Sequence, residues 1–193
     1  MEIEEIYGEP PRFETERLIL RKVTMQDAED MFAYASNDDV SRYVPWETHR
    51  TIEDSRGFIS FIEQRYDNKA VSPWGIEYKE NGRMIGTIDF VLWQPMHQVA
   101  ELGYVLGKDY WGKGLMSEAA GELLRFGFAK MDLVRIQARC IAENIGSQRV
   151  MEKIGMTFEG IQRKGMKNKG IHCDIKTYAI LKEDYEILQR SEE

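Results

Sequence analysis

The chain has 193 residues, 42% hydrophobic and 31% charged, and its 26 Lys and Arg against 33 Asp and Glu give a net charge of −7. This composition fits one compact globular domain with a sizeable core, and the acidic balance excludes the basic footprint of a nucleic-acid binder. No apolar run approaches the ~18 residues of a membrane span, and the start, MEIEEIYGEP, lacks the basic-then-apolar order of a signal peptide, so a cytoplasmic protein without a membrane partner is expected.

Residues 1–13 read as a loose N-terminal leader containing Pro10-Pro11. RLILRKV (17–23) alternates as a strand does, and Thr24 caps a helix over TMQDAEDMFAYAS. In TIEDSRGFISFIEQRYD (51–67), Ile52, Ser55, Ile59, Ile62 and Tyr66 recur at helical spacing behind an acidic first turn. Three strands follow, WGIEYK (74–79), RMIGTIDFVLW (83–93) and VAELGYVL (99–106), the first two joined through the hairpin signal Asn81-Gly82.

A helix over about 115–131 carries the inner stripe Met116, Ala119, Ala120, Leu123, Gly127 and Met131. VRIQARC (134–140) reads as a strand, and NIGSQRVMEKIG as a helix capped by Asn144 and stopped by Gly155. Two last strands are expected near 156–163 and 172–182. The reading is a mixed α/β fold with a central sheet of about seven strands flanked by about four helices. Cys140 and Cys173 form no CxxC pair and read as buried thiols, and His49, His97 and His172 lack metal-ligand spacing, so no metal site is assigned.

GKDYWGKGL (107–115) nearly spells a P-loop, with Gly107, Gly112 and Lys113 in place, but Gly114 stands where the magnesium-holding Ser or Thr belongs. The stretch follows a strand and opens a helix, so it offers unpaired N–H groups and the positive end of a helix dipole to an anion. Gly112 and Gly114 permit close approach to the backbone. A dinucleotide fingerprint fails at Ser117, where Gly or Ala is needed. A metal-free pyrophosphate such as that of coenzyme A fits; the other reading is a turn without a ligand.

LGYVLGKDYWGKGLMSEAAGELLRFGF, ARCIAENIGSQRVMEKIGMTFEG and ETERLILRKVTMQDAEDMFAYASNDDVSRYVPW together resemble the GNAT acyl-CoA N-acetyltransferases, in particular the branch of ribosomal-protein N-terminal acetyltransferases of the Rim type. The resemblance makes 14–193 a single acetyltransferase domain with a GNAT-like sheet. The family's central motif falls on Trp111, Gly114 and Met116, of which Gly114 has the usual identity; YWGKG, Tyr110 to Gly114, is the form of the Rim-like branch.

The resemblance implies that acetyl-CoA is cosubstrate. Its pyrophosphate would lie on the backbone of Gly112, Lys113, Gly114, Leu115, Met116 and Ser117, and its pantetheine arm on the strand backbone of Tyr104, Val105 and Leu106. Asn144 would contact the arm and Arg149 the phosphates or the adenosine. Where many relatives carry a Tyr as acid for the leaving thiolate, this chain has Met151; Ser147 is the substitute in the Rim-like branch. Read without the resemblance, Ser147 is also a small packing residue bonded to its own helix.

Glu101 stands on the strand face opposite Ala100, Leu102, Tyr104 and Leu106, two residues before Gly103. A carboxylate beside an in-strand glycine is a candidate base, matched by a Glu in Rim-like relatives, or else a solvated outer-face residue. Asp89 and His97 are reserve bases, and Tyr43 and Trp46 are candidate walls of an acceptor site. The function implied is acetyl transfer from acetyl-CoA to a primary amine, in the Rim-like form the N-terminal amine of a ribosomal or other protein. The alternatives are a small-molecule amine (polyamine, amino sugar or amino acid) as acceptor, or a CoA-binding regulator without turnover. The chain is expected to be a monomer or homodimer.

Overall fold

The computed structural model describes residues 3–191. Its eight strands form one mixed sheet in the order β1-β2-β3-β4-β5-β6-β8-β7. In chain order these are β1 (Phe13–Glu14), β2 (Leu18–Lys22), β3 (Trp74–Tyr78), β4 (Arg83–Gln94), β5 (Val99–Leu106), β6 (Arg135–Ile141), β7 (Thr157–Asn168) and β8 (Ile171–Leu181). The helices are α1 (Ile3–Tyr7), α2 (Ala28–Ala35), α3 (Asp38–Ser41), α4 (Ile52–Asp67), α5 (Leu115–Lys130), α6 (Ile145–Lys153) and α7 (Lys182–Ser191).

The sequence expectation of about seven strands and four helices therefore falls short by β1, α1, α3 and α7. These are short or lack a long apolar period, so pattern alone does not raise them above a loop. The helix expected from Thr24 begins instead as a one-turn 3-10 segment, Met25–Asp27, and Asp27 Oδ2 accepts from Thr24 N–H at 2.8 Å. The leader is not loose over its described part. Ile6 and Tyr7 are buried, and the Tyr7 ring lies 5.5 Å from that of Trp74. Cys140 is buried as expected, whereas Cys173 is only half-buried.

Strand alternation gives the sheet two unlike faces. Trp74, Ile88, Phe90 and Ile136 face α5, where Phe126 meets Trp74 edge-on at 6.5 Å. The opposite face carries α2 and α4, whose Met31, Tyr34, Ile59, Ile62 and Tyr66 pack on Val23 and Met84. Six of the seven neighbouring strand pairs are antiparallel, and the exceptional parallel pair is β5 with β6. A parallel pair needs a long crossover, and α5 supplies it.

That parallel pair is also incomplete. Residues 99–102 pair with 135–138, and there the ladder stops. β5 continues along β4 to Leu106, while β6 continues along β8 to Ile141. The two strands part beyond Leu102, and one edge of β5 over 103–106 is left without a strand partner.

Candidate active site

The glycine stretch lies directly after this parted edge. Trp111 Nε1 donates to Leu106 O at 2.8 Å and pins the loop to the end of β5. Gly112 and Gly114 have φ of 73° and 76°, the left-handed region that disfavours a side chain. Gly114 is the N-cap of α5 and supplies no side-chain bond, so the amides of Leu115, Met116 and Ser117 have no intrahelical acceptor. The Leu115 and Met116 side chains are buried in the core, which fixes the position of the helix start. Lys113 Nζ sits 5.4 Å from the Tyr110 ring centroid.

Two cations that sequence reasoning missed flank this turn. Arg17 donates from Nη1 to Lys113 O at 3.0 Å and from Nε to Glu118 at 2.7 Å. A Cβ built on Gly114 would stand 3.3 Å from Lys153 Nζ and 3.6 Å from Arg17 Nη2. Nothing near Arg17 or Lys153 in the chain marks them, because their partners are remote in sequence. Arg149 is exposed one helical turn before Lys153 and so shares its face of α6. Arg17 and Lys153 thus place positive charge beside the helix start, suited to a pyrophosphate.

Across the parted strands, Tyr104 and Ser147 meet. Tyr104 Oη lies 2.9 Å from Ser147 Oγ and donates to Ser147 O at 3.2 Å. Asn144 caps α6 by accepting Ser147 N–H at 3.2 Å, which fixes the hydroxyl at the first turn. The Ser147 hydroxyl thus bonds to a second element; the reading of a residue tied to its own helix carbonyls does not describe it. Burial holds the Tyr104 phenol well above its ordinary range, so it keeps its proton at neutral pH. Burial also pushes the Cys140 thiol beside this pair up to about 11, so Cys140 is no thiolate nucleophile. Met151 is fully buried, and no tyrosine takes its place on α6.

Glu101, Gly103 and Val105 lie on the other face of β5. Glu101 is buried, so the alternative of a solvated strand residue is excluded. Its Oε2 accepts from Arg139 Nε and Gln137 Nε2, both at 2.9 Å and both from β6. Asp89 on β4 is the cross-strand partner of Gly103. Burial pushes the Asp89 carboxyl up to about 7, against a smaller lowering by Arg65. His97 is in a short turn before β5 and is not part of this cluster.

The same face is bridged at its outer end. Asn168 Nδ2 donates to Arg42 O at 3.1 Å and Lys169 Nζ to Ser41 O at 2.8 Å, so the tip of the β7–β8 hairpin is tied to α3. Trp46 and His49 stand close behind, their rings 5.3 Å apart. Trp46 packs on the α2–α4 cluster and is partly buried; Tyr43 is half-buried in the same loop.

Residues 17–157 match the family described as an acetyltransferase (GNAT) domain, which is most of the chain. The chain belongs to the GNAT acetyltransferases. The acetyltransferase is 38% identical over 172 residues to the uncharacterized N-acetyltransferase YoaA of Bacillus subtilis, covering 89% of this chain and 97% of the relative. A crystal structure of a GNAT-family acetyltransferase from Bacillus anthracis superposes with a TM-score of 0.79 at 36% identity, covering 90% and 99% of the two chains. RimL, described as a ribosomal L7/L12 alpha-N-protein acetyltransferase in complex with coenzyme A, shares the fold at 19% identity, with a TM-score of 0.77 over 89% and 98% of the chains. The acetyltransferase is an enzyme that acetylates nitrogen. None of its described helices is long and apolar enough to cross a membrane.

Proposed function

We propose that this enzyme carries acetyl from acetyl-CoA to the N-terminal amine of a protein. The observation that carries the reading is the parting of β5 and β6 beyond Leu102. The Tyr104–Ser147 hydroxyl pair lies on one side of it and Glu101 on the other. The cosubstrate's pyrophosphate lies on the amides of residues 112–117, with Lys113, Arg17, Lys153 and Arg149 matching its charge. The pantetheine arm adds to the unpaired edge at Tyr104, Val105 and Leu106, as a further strand would, and Asn144 lines the arm from α6.

In this arrangement the amine arrives on the face of Glu101. Its nitrogen bonds to the thioester carbon, and the carbon–sulfur bond breaks. Free N–H groups of the β5 edge stabilise the oxyanion that forms in between. The sulfur departs toward Ser147, whose hydroxyl is backed by Tyr104. A thiol pKa of about 8.5 means that this departure needs only mild assistance. The amine is the harder partner. An α-amine at about 7.7–8.0 loses its proton far more readily than a lysine at about 10.4, which favours a protein N-terminus over a side chain. Glu101 contributes negative charge beside the incoming ammonium. RimL, with the same fold, is described as acting on a protein α-amine.

Thiol release from acetyl-CoA tests the reading with free-amine peptides, polyamines, amino sugars and amino acids in parallel. Turnover confined to peptides is expected. Turnover confined to a small amine would replace the protein acceptor, and binding of acetyl-CoA without turnover on any amine would make the chain a CoA-binding regulator.

A further inference from the structure

The acceptor face holds two carboxylates in unlike surroundings. Glu101 already receives a guanidinium N–H and an amide N–H on Oε2 from β6. Its charge is therefore matched inside the sheet, and a substrate proton is only one of several claims on it. Asp89 forms neither of those contacts. It pairs in register with Gly103, one residue before the strand edge assigned above to the pantetheine arm.

Gly103 makes room for it. A Cβ at Gly103 would fall 2.3 Å from Val91 Cγ1 and 3.4 Å from Asp89 Oδ1. Any side chain there would cover the carboxylate and push the β4 bulge, which the register places between Phe90 and Leu92. Bare backbone at this point gives the buried Asp89 carboxylate room over β5 at Gly103. The groups that face Asp89 are Arg65 and Tyr66 on α4 and Tyr7 on α1, with Glu101 on β5 next along the same face. Arg65 directs its Nε to Val71 O at 2.6 Å. Tyr66 donates to Pro73 O and accepts Val23 N–H. Neither α4 residue is drawn away from these backbone partners to neutralise Asp89.

We propose that Asp89 is the base that takes the acceptor's proton, with Glu101 holding the ammonium in place by charge. The proposal rests on the acetyl-transfer reading above. One proton moves from the ammonium to the Asp89 carboxylate, and the freed lone pair forms the carbon–nitrogen bond as the carbon–sulfur bond breaks. The nitrogen loses its second proton as the sulfur takes one up, so the products are amide and thiol. Asp89 then returns its proton to water.

The surroundings that free Asp89 of β6 contacts also suit it to this role as a base. Burial pushes Asp89 up to about 7. Transfer from an α-ammonium near 8 to such a group is uphill by only roughly tenfold. A base poised near the working pH is the one that general catalysis selects.

Two measurements decide the matter. In the first, carboxyl carbons of aspartate-labelled enzyme are titrated by NMR with acetyl-CoA bound, and the Asp89 signal is identified by its loss in Asp89→Asn. A midpoint near 7 is expected; a midpoint near 4 overturns the proposal whatever the acceptor is. In the second, pH–rate profiles of the wild type, Asp89→Asn and Glu101→Gln are recorded with a free-amine peptide, and with spermidine and glucosamine alongside. Asp89→Asn should lose about 10²–10³-fold in kcat at pH 7 and recover most of it by pH 9.5, as free amine becomes abundant. Its acetyl-CoA affinity should not change. Glu101→Gln should raise the acceptor KM at every pH. An equal loss at all pH values in Asp89→Asn, or no loss, overturns the proposal. Activity on spermidine or glucosamine alone would replace the protein acceptor while leaving the Asp89 comparison intact. Asp89→Ser serves if the Asn variant does not fold.

Discussion

Gly114 holds φ at 76° where Lys113 O, Arg17 and Lys153 converge. A β-branched side chain disfavours that conformation by about 1–2 kcal/mol and would stand among the cations that meet the phosphates. Gly114→Val should therefore weaken acetyl-CoA binding by at least about tenfold, as calorimetry would show, with no dependence on added magnesium. At Ser147 the expectation is of another kind. Its hydroxyl acts when the thiolate departs, so Ser147→Ala should lower kcat by roughly 10-fold or more with acetyl-CoA affinity nearly unchanged. A matching loss of affinity would make it a residue that shapes the pantetheine groove. Both residues stand out in the sequence because their signals are local: a glycine pair at a helix start, and a hydroxyl three residues after a capping Asn. The Tyr104 hydroxyl beside Ser147 was not legible. Tyr104 reads as one more member of an apolar strand face until the fold brings α6 across it.

Among the elements, α1 is the least expected and the easiest to test. Its Tyr7 ring is fully buried between Trp74 and Trp93, at centroid distances of 5.5 and 6.5 Å, while the hydroxyl finds no partner. Tyr7→Ala should cost about 3–5 kcal/mol, the range of large aromatic truncations in cores. Tyr7→Phe removes only an unsatisfied hydroxyl and should be neutral or slightly stabilising. Thermal melts of the two variants separate a packed helix from an incidental one, since a small effect of Tyr7→Ala would mean that α1 carries little of the core. The residues before Pro10 read as leader because five helical residues with two adjacent acids, Glu4 and Glu5, show no apolar period. Their order comes from Trp74 and Trp93, which lie far along the chain. The longer elements, α4, α5 and β3 to β6, were legible to within a residue or two, because each carries its period over several turns or strand positions.

At the scale of the whole molecule, Asp89 makes stability depend on pH. Its folded carboxyl sits near 7, above the ordinary value of about 3.9 that it takes in the unfolded chain. The native state therefore binds its proton more tightly across that window. The contribution to stability is full below about pH 4 and is lost as pH rises through 7. Asp89→Asn removes the ionisation. The difference in Tm between variant and wild type should move in the variant's favour between about pH 4 and 7 and stay flat beyond. A difference that is constant with pH would place Asp89 in water.

The sequence by itself determined the mixed α/β class, the long elements, the glycine turn and the capped helix that carries Ser147. Each of these is encoded within a few neighbouring residues, by side-chain period or by a backbone conformation that glycine or a capping side chain favours. Only the tertiary structure decided where β5 and β6 part, because a ladder's end depends on which strands claim each edge. It also decided that Arg17 and Lys153 reach the glycine turn, that Glu101 is matched by Arg139, and that Asp89 is desolvated beside Gly103. Those are consequences of register and burial between segments distant in the chain, and charge and pKa at a site are set by such neighbours rather than by the residue's own place in the sequence.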